Sequence, residues 1–579
     1  MRRDKTIVLI MTALLSLTAA AIMYTQARWN EFPFSVVLKT DGGEETIKSW
    51  KKDDTYYIFL PSGADPDQAR IVTNPLFPIR IDGRSVDGDT VCGAFPLFEK
   101  LPLSYRKWGK TQEEAVSFCK SGNVPAMYID TASGSMDYIH EEKGNAEPGK
   151  LRLYRDDGTL DCDAQISAIN GRGNSTWSNK KKPYSFELTQ SSDLLGMGAA
   201  KRWILLANSK DSSNICNKMC YDFAARAGCA YTPECQWVDL YLNGNYVGLY
   251  LLSERNEVDS QRVDIPMEGS FLISKEWETR IFGRSYDFFF TRREYFYRIH
   301  HAGMEVDWAR EIWQSVEDAL FSEDGIDPRT GKSWDELIDV DSWARQFLIW
   351  DCFVDIDAAH LSKFFYYDPR SDLVYAGPLW DMDVLYLGME GYPISVLASG
   401  RRYILDLGQE SMFYHLSQKD GFRQALNRIY REEFRPLLLE LAETGIDQYR
   451  QKIHTASFLN DVRWDIHDAE YTAEEKKSYL RKRIDFLDEY LGFEDDYCVI
   501  CLRMTDYNQW RSFAVKRGET ADFLISQGIT WLDYETGEPF DLTAPITRDR
   551  LAVEEGALDC PADESPMEYT QCEETKQLS

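Results

Sequence analysis

Alternating apolar and polar positions dominate the first half of the chain, and helical periodicity dominates the second. FSVVLKT and TYYIFL, set between turn clusters such as PSGADPD and DGRSVDGD, predict a small all-β domain of sandwich type over residues 32–122. VPAMYID, LRLYR, AQISAI and KPYSFEL continue as strands, and the unbroken apolar run WILLA fits a strand buried on both faces. In DSSNICNKMCYDFAARAG, Ile215, Met219, Phe223 and Ala227 recur at helical spacing, with serines at the start and Gly228 as the stop. QWVDLYLNGNYVGLYLLSE predicts a hairpin, because Asn243-Gly244 suits the left-handed positions of a type I′ turn. Beyond Trp308 helices take over: VDSWARQFLIWDCFV puts Trp343, Phe347, Trp350 and Val354 on one face. FRQALNRIYREEFRPLLLELAETG and TAEEKKSYLRKRIDFLDEYLG follow, the last ending at Gly492. The expected class is α+β, with a β-rich lobe at 123–269 and a helical lobe at 270–492, an arrangement that makes a ligand cleft. Residues 497–556 return to short strands, and the acidic stretch 557–579 reads as a disordered tail.

Composition fixes the setting. With 44% hydrophobic residues the chain folds, and its formal net charge of -30 argues against nucleic acid as a partner. At the amino terminus Arg2, Arg3 and Lys5 precede an uncharged run from Thr6 to Gln26, the pattern of an export signal. Residues 1–27 therefore read as a signal peptide or a membrane anchor: small residues suit cleavage, and the run is also long enough to span. Cys498 and Cys501 form a CxxC without a second ligand pair at matched spacing, so they read as structural thiols on opposite faces of a strand.

Chemistry concentrates in two places. IWDCFVDIDAAHLSKFFYYDPRSDLVYAGPLWDMDVLYL sets Asp357 after an apolar helix and Asp381 and Asp383 after a hairpin. Converging carboxylates repel unless a cation sits between them, and Mg2+ is typically held by one or two carboxylates plus substrate phosphates. Residues 171–202 reverse the charge, with Arg172, Lys180, Lys181, Lys182, Lys201 and Arg202 against Glu187 and Asp193. Gly171-Arg172-Gly173 before Ser175 and Thr176 supplies backbone amides and hydroxyls for a polyphosphate. A lysine-rich hairpin edge would explain that loop by itself. Its pairing with the acidic segment favours phosphoryl transfer.

RGNSTW, KKPYSFEL, LLGM, KRWILLANSKD, NKMCYDFAARAG, VDLYLNGNYVGLYLLSE, VDIDAAHLSKFFYY and GPLWDMD stand in the order and wording of one family. Over residues 123–492 the chain resembles the CotH-type (spore coat protein H-like) atypical secreted protein kinases. The resemblance implies a divergent two-lobed kinase-like fold that binds ATP with Mg2+ or Mn2+ and transfers the γ-phosphoryl group to protein serine. It implies Asp357 as the catalytic aspartate, Asp381 as a metal ligand with Asp383 as the second, and Lys182 as the phosphate-neutralising lysine with Lys201 as a rival. Arg172 and Ser175 would line the phosphate loop, and Glu254 falls where the lobes join. Asp355 stands where the family often carries asparagine, an extra acid able to raise the pKa of Asp357 or recruit a second metal. His360 reads as a structural histidine. ISQGITWLDYETGEPFDLTAPITRDRLAVEE is similar to the end of the Listeria-Bacteroides type repeat, a small β-grasp unit of bacterial surface proteins. The alternative function is a non-catalytic, kinase-shaped surface binding or adhesion protein. A catalytic version would favour basic or serine-rich protein substrates.

The charged amino terminus generates a test of location. The body of the protein should lie outside the cytoplasmic membrane and be cut by protease added to intact cells. A full-length chain that stays soluble and protected in the cytoplasm contradicts the reading.

Overall fold

This computed structural model describes residues 34–73, 78–107, 110–173, 175–276, 287–355, 361–383, 410–465, 469–504, 509–525 and 529–555, with the single positions 16, 18, 358 and 402. They fall into two compact units. The first draws on residues 1–214, 235–255 and 449–469, and the second on 215–234, 256–448 and 470–579.

The first unit begins with nine strands: β1 (Phe34–Thr40), β2 (Gly43–Lys48), β3 (Trp50–Lys52), β4 (Thr55–Leu60), β5 (Arg70–Thr73), β6 (Ile79–Ile81), β7 (Arg84–Ser85), β8 (Leu101–Lys107) and β9 (Lys110–Lys120). They form a three-stranded sheet, β2-β1-β5, and a six-stranded sheet, β3-β4-β9-β8-β6-β7. Next come β10 (Ala126–Thr131), β11 (Ala146–Tyr154), β12 (Leu160–Gly171), β13 (Tyr184–Asp193), β14 (Ala199–Leu206), β15 (Cys235–Leu242) and β16 (Asn245–Glu254). These close into a barrel in the order β10-β11-β12-β13-β14-β16-β15, sealed by parallel pairing of β10 with β15. Strand alternation makes the barrel wall two-sided. Met127 and Ile129 join one core with Leu151, Leu153, Val238 and Leu240, whereas Tyr128, Tyr154, Tyr241 and Tyr246 join the core of the amino-terminal sheets. The β15–β16 turn has positive φ at both Asn243 and Gly244, as a type I′ turn requires.

One later helix, Ile446–Trp464, also belongs largely to this unit. A bulge at Val247 breaks the β15–β16 register and loosens the backbone there. Asn460 accepts from the Leu249 N–H at 3.2 Å, Trp464 donates to the Val247 carbonyl at 3.0 Å, and Arg463 donates to the Tyr246 carbonyl at 3.1 Å.

The second unit departs from the helical expectation for 270–492. It contains a five-stranded sheet, β18-β19-β17-β20-β21, built from β17 (Phe271–Lys275), β18 (Phe288–Phe290), β19 (Phe296–Ala302), β20 (Lys363–Asp368) and β21 (Leu373–Ala376). FLISK is buried at every position, as a central strand can be, and FYRIHHA ends in a partly exposed run, so neither shows the clean alternation that marks a strand in sequence. The helices Val306–Phe321 and Val340–Phe353 cover one face, with Trp313 and Trp343 packed at a tilt against Phe365, ring centres 4.7 and 5.1 Å away. Asp339 caps the second helix by accepting from the Ser342 N–H at 2.8 Å. Val354, expected on its apolar face, instead ends it at φ 47°.

The helical reading of residues 422–445 holds, interrupted by π-helical turns at Tyr430–Phe434 and Leu441–Gly445. Pro436, which lacks an N–H, follows the first of them. The last strands, β22 (Tyr497–Met504), β23 (Gln509–Lys516), β24 (Trp531–Asp533) and β25 (Arg550–Glu554), form a sheet in the order β23-β22-β25-β24, with β22 and β25 parallel. Cys498 and Cys501 enter different cores on its two faces, as expected, and the ten described cysteines are all free thiols. Among the described residues no helix is long and apolar enough to cross a membrane. Apart from positions 16 and 18, the export segment lies outside the described residues, as does the acidic tail from 556 onward.

Gly248 is the tightest point of the helix-to-hairpin contact. Its φ is 106°, and a Cβ there would lie 2.6 Å from Asn460 Oδ1 and 2.9 Å from Trp464 Nε1. Gly248→Ala should therefore destabilise the protein by roughly 2–4 kcal/mol, combining backbone strain with overpacking. Urea unfolding measures it, and an unchanged midpoint would refute the tight contact.

Candidate functional site

The basic element sits where β12 leaves the barrel. Glycine is needed twice in this loop: a Cβ on Gly171 would lie 2.2 Å from the Trp177 ring, and one on Gly173, at φ 81°, would lie 2.1 Å from Thr176 Oγ1. A short 3-10 turn, Ser175–Ser178, follows, and the Arg172 N–H closes the loop on the Pro183 carbonyl at 3.1 Å. Lys182 Nζ donates to the Trp177 carbonyl at 2.8 Å and lies 4.4 Å from that ring's centre. Two lysines missed in the sequence join it. Lys143 donates to the Gly173 carbonyl at 2.6 Å, and Lys210 to Ser175 Oγ at 2.9 Å. Neither is near the motif in sequence, so only the fold reveals them.

Of the expected residues, Arg172, Ser175 and Lys182 are thus brought together. Lys201 is exposed on β14, four residues from Leu205, which pairs with Tyr184 beside the loop. That is about 13 Å along the strand. Glu254 is buried at the end of β16, opposite Trp203.

Lys181, in the bend ahead of β13, turns the other way. It is buried and donates to the Leu249 carbonyl at 2.6 Å. Burial pushes its ammonium down to about 7, against the attraction of Asp461, Asp239 and Asp211. Burial likewise pushes the Asp239 carboxyl up to about 7, although the Tyr246 hydroxyl donates to it at 3.0 Å.

In the second unit the β20–β21 hairpin leads into Gly377-Pro378-Leu379-Trp380-Asp381-Met382-Asp383. Leu379 and Met382 are buried, and the Met382 N–H donates to the side-chain oxygen of Asn217 at 3.0 Å. Asn217 is itself buried on the helix Cys216–Arg226. Anchored so, the turn holds two half-buried carboxylates on either side of one core residue. Asp381 has φ 62°, a left-handed backbone that aspartate tolerates better than most residues. Among the described residues no group of three or more His, Cys, Asp or Glu side chains is arranged around a metal position. Two carboxylates are what Mg2+ ordinarily takes from a protein when phosphates and water complete its shell, and no described cation neutralises Asp381. The donor set fits such an ion.

Asp357, the expected catalytic aspartate, and His360 lie outside the described residues. Asp355 is described, and it corrects an expectation. Its carboxylate is buried in a direct ion pair with the equally buried Lys363, so its charge is already matched and it is no spare ligand for a second metal.

A scan against family models matches residues 169–491 to the CotH kinase proteins, more than half of the chain. The chain belongs to the CotH kinase family. The match starts inside β12, just ahead of the glycine loop, and stops before Gly492. It therefore takes in every CotH site residue named above and leaves out the amino-terminal sheets and the last four strands. No curated protein matches the chain.

His140 offers a probe of the basic loop. Its ring lies 2.8 Å from the Tyr184 hydroxyl, and burial, followed by the Lys182 ammonium, holds its pKa below the ordinary value. Folding then binds fewer protons than the unfolded chain in the window just below about 6.5, so this contribution to stability is present above that pH and fades on acidification. Lys182→Met should shift the NMR titration of His140 upward. A titration that does not move would show that the ammonium is not where the fold puts it.

Proposed function

We propose that this chain is an exported, ATP-dependent protein kinase acting on protein serine at a bacterial cell surface. The observation that carries the reading is the Asp381-Met382-Asp383 turn, pinned through Met382 and Asn217 while the Asp381 carboxylate keeps no described partner. In this reading Asp381 and Asp383 hold a divalent cation, Mg2+ or Mn2+. When bound, such an ion would supply positive charge to offset that of the phosphates during transfer. Arg172, Lys182 and the hydroxyl of Ser175 neutralise and orient the polyphosphate, joined by Lys143 and Lys210. Asp357 accepts or orients the proton of the acceptor hydroxyl. The charge of -30 favours basic or serine-rich protein substrates. The carboxyl-terminal sheet, which we propose to be a β-grasp-like surface repeat, serves as a spacer or adhesive module, and the amino-terminal segment exports or anchors the chain.

Two carboxylate roles separate experimentally. Asp381→Asn should weaken metal-dependent nucleotide binding and abolish transfer. Asp357→Asn should leave nucleotide affinity nearly unchanged while transfer falls by about 10²- to 10⁴-fold. The assay is transfer from labelled ATP to a basic, serine-containing protein or to the chain itself, with nucleotide affinity measured in parallel under Mg2+ and Mn2+. Full transfer by the Asp357 variant would overturn its role, and wild-type protein that binds nucleotide without transfer would point to the non-catalytic surface protein.

A further inference from the structure

Two consecutive residues of β16 hold two consecutive residues of the bend that leads into β13. The Leu249 carbonyl accepts from Lys181 Nζ at 2.6 Å, and the Tyr250 hydroxyl donates to the Lys182 carbonyl at 2.9 Å. The Lys181 ammonium also lies 4.8 Å from the centre of the Tyr250 ring. From this bend Lys182 reaches the glycine loop, where its ammonium meets the Trp177 carbonyl and ring. The Arg172 N–H meets the Pro183 carbonyl at 3.1 Å, so loop and bend close on each other. Tyr184 follows at once, its hydroxyl 2.8 Å from the His140 ring.

Lysine is an unfavourable residue to bury at position 181 unless it has a use. Its side chain is out of water, and a buried ammonium is tolerated only where hydrogen bonds and counter-charges replace the water. An unbranched apolar residue would fill similar space without that penalty. What a donor alone supplies is a partner for the Leu249 carbonyl, because β14 pairs with β16 only as far back as Leu251. The Leu249 N–H is met by Asn460 at 3.2 Å, so side chains answer both polar groups of this residue. Asp239, opposite Leu249 on β15, joins Asp461 and Asp211 in supplying the negative charge that the ammonium requires. Lys181 is thus committed to the strand, and the lysine beside it is left for a ligand.

We propose that Lys181 is a positioning residue for phosphate binding: anchored on Leu249, with Tyr250 as the second anchor, it fixes the bend that holds the Lys182 ammonium against the glycine loop. The proposal rests on the polyphosphate reading of that loop given above, and Lys181 acts through Lys182 rather than on the ligand. Lys181→Met keeps an unbranched side chain and removes the donor. The dissociation constant for ATP with Mg2+ should rise by about tenfold, as it should for Lys182→Met, and K181M/K182M should bind within about twofold of K182M, because residues acting through one contact are not additive. A purely structural role predicts additive losses instead. His140 gives a readout that needs no nucleotide. The charges acting on its ring are those of Lys182 and Asp137, so displacement of Lys182 in K181M should raise its NMR titration by at least half of the shift seen in K182M. In the K182M background the same substitution should add nothing, whereas a shift through lost burial would persist there. Tyr250→Phe removes only the hydroxyl of the second anchor and keeps the test decisive if K181M does not fold; it should weaken ATP binding by about threefold and move His140 in the same direction. If wild-type protein binds no ATP, the polyphosphate reading fails and the His140 titrations still decide whether Lys181 places Lys182. A His140 titration unmoved by K181M and Y250F, or additive losses in K181M/K182M, would overturn the proposal.

Discussion

The backbone around Leu249 is the constraint on which the first unit depends. β14 pairs with β16 only as far back as Leu251, which leaves the buried peptide groups of Leu249 without a strand partner on that side. They are answered from two directions. Lys181 donates to the Leu249 carbonyl, and Asn460, roughly two hundred residues later in the chain, accepts from the Leu249 N–H. Each answer has a consequence: using Lys181 at a buried carbonyl leaves its neighbour Lys182 for the glycine loop, and using Asn460 recruits the end of a late helix to an early hairpin. The Tyr250 hydroxyl, donating to the Lys182 carbonyl at 2.9 Å, fixes that outward turn.

Buried charge follows one rule across both units. Lys181 is set among Asp239, Asp211 and Asp461, Arg152 donates to Glu45 and Asp130, and Lys363 meets Asp355. Taking an ion from water is tolerable only when a counter-charge or hydrogen bonds replace the water. Asp381 departs from the rule. It is only half-buried, in an anchored turn with a left-handed backbone and no described partner, so solvent rather than a counter-charge can serve its carboxylate.

Local features were legible in the sequence where one physical rule determined them. Asn243-Gly244 could hardly be anything but a tight hairpin turn, and the spacing of Ile215, Met219 and Phe223 required a helix. The carboxylate turn was visible because two aspartates flanking one apolar residue after a hairpin form a local pattern. What the sequence hid was determined by distance. The strand Phe271–Lys275 is buried at every position and so shows no alternation, and Lys143 and Lys210 reach the glycine loop from other segments. The lysine triplet was ambiguous for a different reason: composition showed three positive charges, but in an irregular bend only the fold says which one turns inward.

Asp355 shows how a single substitution reads differently once its surroundings are known. As one more acid near Asp357 it looked able to raise that residue's pKa or to recruit a second metal. With Lys363 at hand, neither follows, because a carboxylate already matched by a buried ammonium has little charge left to give. The same distinction applies to the whole molecule. A net charge of -30 acts on partners approaching through solvent, where screening limits its reach to about 8–10 Å at physiological salt. Inside that distance the field belongs to particular residues, so a strongly acidic chain can present a basic loop to phosphate. The overall charge then bears on which proteins arrive, and the local pairs bear on what can happen to them.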